Sequence, residues 1–252
     1  MATDKHLYPY ALRMGDTALI LSQRLCEQVG TAPMLEEEIA IANIGLDMMG
    51  QATAWLELAA KYQGEGKSAD DLAYLRNERQ YSNYLLAELE NGDFAQIILR
   101  GYLISVFLLD LYQAMLDSNV EEFAAIAQKS VKEVTYHCQH QADWVERLGL
   151  GTEESHRRLA KALDHIWPYS KELFEQDDVE KALVQAGSVP DKAKLSGQWL
   201  KTVTPVLEHA GLTVPNPDYY YEGGIHGVHT ETLGYLLAEM QAVVREHPGA
   251  KW

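Results

Sequence analysis

Four long stretches of the sequence repeat apolar residues at the spacing of an amphipathic helix, and this regularity most limits the folds that the chain can adopt. Turn-forming sequences such as "GTAP" and "GEGKSADD" separate the stretches. The sequence has no persuasive strand alternation, no short repeat and no low-complexity segment. It therefore predicts an all-α protein, with long helices at residues 8–28, 34–62, 94–117 and 120–148.

The order of these helices predicts how they pair. A short link joins the first helix to the second, and another joins the third to the fourth, so each pair is expected to form an antiparallel hairpin. A helical segment at 70–90 would carry the chain between the hairpins, as in ferritin-like proteins. We therefore predict one domain over residues 1–252, a ferritin-like four-helix bundle with additional C-terminal helices. Those additional helices are expected at 153–175, 178–186, 190–210 and from Thr230 onward.

Charge and composition exclude several classes of partner. The formal net charge of -16 argues against nucleic acid and against an anionic membrane surface, because both attract surplus Lys and Arg. The first residues contain no apolar core of a signal peptide, and the most apolar run, Tyr102–Tyr112, is too short to span a bilayer. Cys26 and Cys138 are isolated in the sequence, which is typical of a reducing compartment. We expect a cytoplasmic protein with no membrane segment.

A ferritin-like fold raises the question of a di-metal site. Such a site takes a carboxylate from each of two helices and a Glu-x-x-His motif from each of the other two, because residues i and i+3 can reach one metal. In the second helix the motif position begins with Asp47, but Gly50 stands three residues later and Gln51 follows. The pattern indicates a metal-binding scaffold that lacks a ligand at this position.

The helix at 120–148 carries a second partial motif. Glu133 is followed by Tyr136 at i+3 and by His137 at i+4. Glu133 and His137 could still share one helix face, so this half of the motif is damaged rather than empty. A catalytic di-metal oxidase that uses Glu133 and His137 is therefore one hypothesis for the chain.

The other carboxylates that a di-metal site needs are sparse. Asp16 and Glu27 are expected near the ends of the first helix, and the helix at 94–117 offers Asp110. Asp47 and Asp110 could complete the catalytic site with the glutamate and histidine of the fourth helix. In the other interpretation, both aspartates are paired or hydrogen-bonded inside the bundle, because burying an unpaired carboxylate is unfavourable.

Two groups of histidines could bind a single metal. His137 and His140 are three residues apart and could form a lone surface site, although such histidines are more often ordinary polar positions. "HGVHTE" (His226–Glu231) resembles a zinc site superficially, but no H-E-x-x-H pattern is present. A helix cap, with Thr230 as N-cap and Glu231 in the first turn, is the favoured interpretation.

Two further segments bear on binding. Tyr219, Tyr220 and Tyr221 could form a contact surface, pack in the core or lie in a plain loop. A helical module that binds an acyl-CoA without catalysis is a third hypothesis. It would need a basic cluster for the phosphates, and the nearest one, "HRRLAK" (His156–Lys161), fits a solvated helix face better. The sequence contains no P-loop, no G-x-G-x-x-G and no G-x-S-x-G motif.

Five blocks of the sequence, in this order, are similar to those of a known family. The blocks are "YALRMGDTALILSQRL", "ANIGLDMMGQA", "RNERQYSNYLLAELENGDFA", "GIHGVHTETLGYLLAEMQ" and "PGAKW". From about Tyr8 to Trp252 the chain resembles the C subunits of bacterial phenylacetyl-CoA epoxidases, also called ring 1,2-epoxidases or phenylacetate-CoA oxygenases. It departs from the family pattern at Thr232, where the family usually has histidine.

The resemblance implies a structural, non-catalytic subunit that pairs with and stabilises a homologous catalytic A subunit. In that family the A subunit holds the di-iron site and binds phenylacetyl-CoA, and a separate flavin and iron–sulfur reductase supplies electrons. The complex places one oxygen atom of O2 on the aromatic ring during aerobic phenylacetate catabolism. This chain would then hold no cofactor, and its degenerate di-iron site would comprise Asp47, Gly50, Glu133, Tyr136 and His137. The reductase and other subunits could also contact it, and the isolated chain could form a homodimer.

Overall fold

The structure, a computed structural model, describes residues 4–250. Within this range the chain forms ten α-helices, short 3-10 helices and no β-strand, so the predicted all-α fold is confirmed. The final two residues of the "PGAKW" block lie outside the described residues. The helices are α1 (Asp4–Cys26), α2 (Leu35–Gln63), α3 (Ala69–Tyr74), α4 (Leu85–Glu88), α5 (Phe94–Met115), α6 (Glu121–Gly149), α7 (Glu153–Ile166), α8 (Asp178–Gln185), α9 (Lys192–His209) and α10 (Glu231–Glu246).

The chain divides into two compact units. The first comprises residues 1–90 and 223–252, and the second comprises residues 91–222. Each unit contains one of the two predicted long hairpins, α1 with α2 and α5 with α6. A single domain over residues 1–252 stays a prediction.

The first unit is built on the α1–α2 hairpin. Its two helices run antiparallel, since Gly15 contacts Leu56 and Ser22 contacts Gly45. The approach is close, because a Cβ added at Gly15 would lie only 2.7 Å from the Leu56 side chain. The Ser22 hydroxyl donates a hydrogen bond of 2.6 Å to the backbone carbonyl of Gly45. The predicted pairing of the first two helices is confirmed.

The segment predicted as one helix over 70–90 is instead broken into α3, a 3-10 turn and α4. The intervening chain is fixed by contacts with the buried Asp16 of α1. The Arg76 guanidinium donates to this carboxylate at 3.0 Å, and the Ser82 backbone N–H donates to it at 2.9 Å. These bonds join residues about sixty positions apart, so local helical periodicity did not reveal them.

Helix α10 completes the first unit and buries the apolar stripe expected of it. Leu233, Leu236 and Leu237 are at most 4% exposed. The buried amide of Gln241 donates a hydrogen bond of 3.0 Å to the backbone carbonyl of Arg76. The helix thus packs on the irregular segment that follows α3.

The second unit is centred on α5, most of whose residues are buried. The Ser105 hydroxyl donates to the Gln141 side-chain oxygen at 2.9 Å, which joins α5 to α6. The Trp199 indole donates to the Leu103 carbonyl at 3.0 Å, which joins α9 to α5. The helix predicted over 153–175 ends at Ile166, because the proline at position 168 cannot donate the next helical hydrogen bond.

Within residues 4–250, α5 is the one helix long and apolar enough to cross a membrane. Most of it is buried inside the protein. The Tyr102–Tyr112 run forms the middle of this 22-residue helix. Burial on all sides explains why it is apolar around its whole circumference.

Candidate functional site

The partial motif of α2, Asp47 and Gly50, lies toward the surface of the protein. Both residues are half-buried, whereas Met48 and Gln51 are only 1% and 2% exposed. A Cβ built on Gly50 would meet no atom within 4 Å. The expectation that Asp47 is enclosed in the core is therefore wrong, and the position where the motif requires histidine holds no side chain.

The partial motif of α6 places its residues in unlike surroundings. His137 is fully buried and Glu133 is half-buried. Tyr136, at the i+3 position, is 51% exposed, and its ring stacks on that of His140 with 5.8 Å between centroids. A tyrosine therefore occupies the surface where the motif requires histidine. The alternative of a surface metal site at His137 and His140 does not fit, because His137 is inside the protein.

Asp16 lies in the middle of α1 rather than near its end, since it is central in the 23-residue helix Asp4–Cys26. Its side chain is fully buried and paired with the guanidinium of Arg76 through two hydrogen bonds. The backbone N–H of Ser82 donates a further bond to the same carboxylate. The Asp16 carboxylate is therefore held by the Arg76 guanidinium. Glu27 lies just beyond α1 and pairs with Arg24 at 3.1 Å.

Asp110 is half-buried on α5, close to Cys138 of α6. Burial raises the pKa of Asp110 to about 6. Burial, followed by the nearby charge of Asp110, raises the pKa of the Cys138 thiol to about 12, so this thiol stays protonated. One carboxylate oxygen of Asp110 accepts no hydrogen bond from any described residue. The side chain therefore lacks the full hydrogen bonding expected of a structural aspartate.

Replacing Asp110 by Asn should stabilise the protein at neutral and higher pH. A raised pKa means that the folded chain binds this proton more tightly than the unfolded chain, whose value is near 3.8. Stability is therefore greatest below that value and declines as pH rises through about 6. We expect Asp110→Asn to raise the free energy of unfolding by about 1 kcal/mol at about pH 8, after allowance for solvent screening, and to have little effect near pH 4.

Urea unfolding at both pH values would measure the effect of Asp110→Asn. Asp143→Asn, an exposed position on α6, is the matched control and should show no gain that depends on pH. An equal change at both pH values would show that ionisation of Asp110 is not the cause.

The described residues do not fit a di-iron centre. Gly50 and the exposed Tyr136 stand where the two motifs require histidine, and Asp16 is held by Arg76. Within residues 4–250, no group of three or more His, Cys, Asp or Glu side chains is placed to hold a metal ion. No reaction step through iron is therefore assigned to this chain.

A buried hydrogen-bond network, the Glu88 cluster (Asn83, Glu88, His229 and Thr230), contains part of the histidine segment. His229 Nδ1 lies 2.8 Å from the Glu88 carboxylate, and both side chains are fully buried. The Thr230 backbone N–H and hydroxyl donate to the same carboxylate at 2.6 and 2.8 Å. The Asn83 amide donates at 2.8 Å. Thr230 is the N-cap of α10, as predicted, but its hydroxyl bonds Glu88 rather than the helix backbone.

His229 is part of this network rather than a zinc ligand. Its Nε2 lies 3.0 Å from the Tyr81 carbonyl, so both ring nitrogens are engaged. Burial lowers the pKa of His229, but the hydrogen bond and charge of Glu88, with the Tyr81 carbonyl and the charge of Glu78, together leave the pKa above its ordinary value of 6.5. The sequence interpretation missed Glu88, and the available signal was an acid within the apolar run "YLLAEL".

The tyrosine segment forms a surface, which favours its interpretation as a contact region. Tyr219 and Tyr221 are 63% and 44% exposed. The Tyr221 ring stacks on that of Tyr169 with 4.5 Å between centroids, and the rings of Tyr219 and Tyr221 are nearly perpendicular with 5.2 Å between centroids. The Lys171 ammonium lies 5.3 Å from the Tyr220 ring centre.

The basic segment His156–Lys161 is a solvated helix face, as predicted. Arg157 and Arg158 both pair with Glu154, at 2.8 and 2.7 Å, and all three side chains are at least half exposed. Their charge is therefore largely balanced within α7, which leaves little support for a phosphate site there.

Comparison with known proteins agrees with the resemblance seen in the sequence. A family profile described as "Phenylacetic acid catabolic protein" matches residues 1–252. The chain is 44% identical, over 246 residues, to the Escherichia coli (strain K12) protein named as the C subunit of 1,2-phenylacetyl-CoA epoxidase. That match covers 98% of this chain and 99% of the relative. The chain therefore belongs to the phenylacetic acid catabolic protein family.

Proposed function

We propose that the chain is the structural, non-catalytic subunit of a multicomponent di-iron monooxygenase. The complex epoxidises the aromatic ring of phenylacetyl-CoA in aerobic phenylacetate catabolism, in the cytoplasm. The chain pairs with the homologous catalytic A subunit and stabilises it. The observation that carries this proposal is the 44% identity to the C subunit of the E. coli epoxidase across nearly the whole of both chains.

The loss of metal ligands supports a non-catalytic role within such a complex. Gly50 has no side chain and Tyr136 is a surface aromatic, so both histidine positions of the ferritin-like motif are empty of imidazole. Iron and phenylacetyl-CoA would be held by the A subunit. The reductase that supplies electrons would deliver them to the same partner.

The chain's own contribution would be a rigid helical surface. The buried Asp16–Arg76 pair ties α1 to the segment after α3, and the Glu88 cluster ties α4 to the start of α10. Fixing these elements before assembly lowers the conformational entropy lost on binding a partner. Such preorganisation would allow a subunit without a catalytic group to stabilise a catalytic one.

Metal content provides the test. The chain is expressed alone and with the A subunit in iron-supplemented medium, and iron is measured by plasma mass spectrometry. We expect well under one iron per isolated chain, since the donor set is incomplete, and about two irons per A–C pair, as in a di-iron carboxylate site. The A subunit should co-purify with the tagged chain.

About two irons in the isolated chain would contradict the proposal. That outcome would favour the catalytic di-metal oxidase, and Glu133 and His137 would be the first residues to mutate. Failure of the A subunit to co-purify would contradict the pairing itself.

A further inference from the structure

A row of apolar and small residues is exposed along one side of α2. Leu35, Ile39 and Leu46 are 68%, 54% and 64% exposed, unusually high values for large aliphatic side chains. Ala42 and Gly50 continue the row, because positions separated by four, three, four and four residues line one side of a helix. We call these five residues the α2 face.

Gly50 is not required by the chain's own packing. A glycine inside a helix costs about 0.5–1 kcal/mol relative to alanine, so a packing reason is expected. A Cβ at the helical Gly15, Gly45 or Gly101 would lie 2.7, 3.1 or 2.3 Å from a neighbouring side chain. At Gly50 it would meet no atom within 4 Å, and Gly50 is not among the glycines with positive φ. Because Gly50 continues an exposed apolar row, close approach of another polypeptide along that row would explain this glycine.

The charge around the α2 face is of one sign. Between Leu25 and Ala60 the sequence has six acidic residues and no Lys, Arg or His. Glu57 is exposed on the same side of α2 as the α2 face, and the exposed Glu36 flanks the face beside Leu35. A second copy of this chain would bring carboxylates against carboxylates, which is unfavourable. The face therefore suits a different polypeptide that carries Lys or Arg beside an apolar ridge.

We infer that the α2 face is the docking surface for the homologous A subunit, which lays an apolar helix over Gly50 and sets basic side chains against Glu36 and Glu57. The inference rests on the proposed function. The α2 face runs from Leu35 to Gly50, which is about 24 Å of helix with a width of about 10 Å. This area is about a third of the ~800 Å² that each partner commonly buries, so neighbouring elements complete the interface.

Gly50→Leu tests the inference by filling the space over the helix. The isolated variant should fold as the wild type does, with an equal or higher unfolding midpoint, because leucine favours helix more than glycine and meets no neighbour here. Its affinity for purified A subunit should fall about tenfold or more, since the added side chain blocks close helix approach. Calorimetry or surface plasmon resonance would measure the affinity.

Gly197→Leu is the matched control. Gly197 is an exposed glycine inside α9 whose added Cβ would likewise meet no atom within 4 Å. Its affinity for the A subunit should stay within about twofold of wild type. Equal binding by wild type and Gly50→Leu would overturn the inference and leave the proposed function intact. No binding by wild type would overturn both.

Two further measurements separate the occupants of the face. A homodimer of the isolated chain that Gly50→Leu dissociates, with A-subunit binding retained, would assign the face to a second copy and overturn the inference.

Glu36→Gln with Glu57→Gln should slow association with the A subunit several-fold at low ionic strength and weaken its salt dependence. Glu153→Gln with Glu208→Gln, two exposed positions elsewhere, should not. Equal effects of both pairs would contradict the charge argument.

Discussion

Asp16→Ala should lower the free energy of unfolding by about 3–5 kcal/mol, because it leaves the Arg76 guanidinium buried without its counter-charge. The Asp16 side chain is fully buried, and that of Arg76 is 9% exposed. The substitution also removes the acceptor of the Ser82 backbone N–H. Urea unfolding monitored by circular dichroism would measure the loss, and Asp218→Ala, in an exposed loop, should change stability by less than about 0.5 kcal/mol.

A double variant distinguishes the loss of a charge partner from a packing defect. Replacing both members of a buried ion pair by apolar residues of similar volume is often close to neutral. Asp16→Leu combined with Arg76→Met should therefore lose less stability than Asp16→Leu alone. If the double variant lost the sum of the stabilities lost by Asp16→Leu and by Arg76→Met, the ion pair would not be the source of the effect.

Glu88→Ala should be comparably destabilising, at about 3–5 kcal/mol near pH 6, because it removes the centre of a buried network. His229, Thr230 and Asn83 all lose their shared acceptor. Glu90→Ala, an exposed glutamate two residues away, is the matched control. A loss below about 1 kcal/mol would show that water replaces the carboxylate at little cost.

The buried Glu88–His229 pair should make the free energy of unfolding depend on pH in a defined direction. Burial lowers the pKa of His229, but its bonds to Glu88 and to the Tyr81 carbonyl and the nearby carboxylate charges together raise this pKa above its ordinary value of 6.5 in the folded chain. Its stabilising contribution is therefore complete below about pH 6.5 and is lost as pH rises through the folded value. Glu88→Ala should abolish this decline. Unfolding at about pH 6 and pH 9 would measure it, and an unchanged decline in the variant would assign it to another group.

Helical periodicity was enough to place the long helices of this ferritin-like helical family, but not the chain between them. Each of α1, α2, α5 and α6 repeats apolar residues over many turns, and that signal is local. Residues 70–90 are shaped instead by Asp16, a partner remote in sequence. No local pattern identifies which acid an arginine will meet after folding.

The sequence predicts whether the candidate site can bind metal only where the residue type itself decides whether a ligand is present. Gly50 offers no side chain to replace the histidine of the motif in any fold, so the missing ligand could be recognised from the sequence alone. The exposure of Leu46 could not, because "IANIGLDMMG" is apolar on more than one side of the helix. Periodicity indicates that a helix has apolar faces, and only the folded structure shows which of them the chain leaves uncovered.

The first unit is assembled from two separate parts of the chain, residues 1–90 and 223–252, with the whole second unit encoded between them. During translation the second unit can finish folding while the first still waits for α10. In the nascent chain, Glu88 is synthesised well before its hydrogen-bond partner His229 leaves the ribosome. We therefore expect that, in a chain truncated before residue 223, the second unit folds while the first unit stays incompletely folded and accessible to chaperones and proteases.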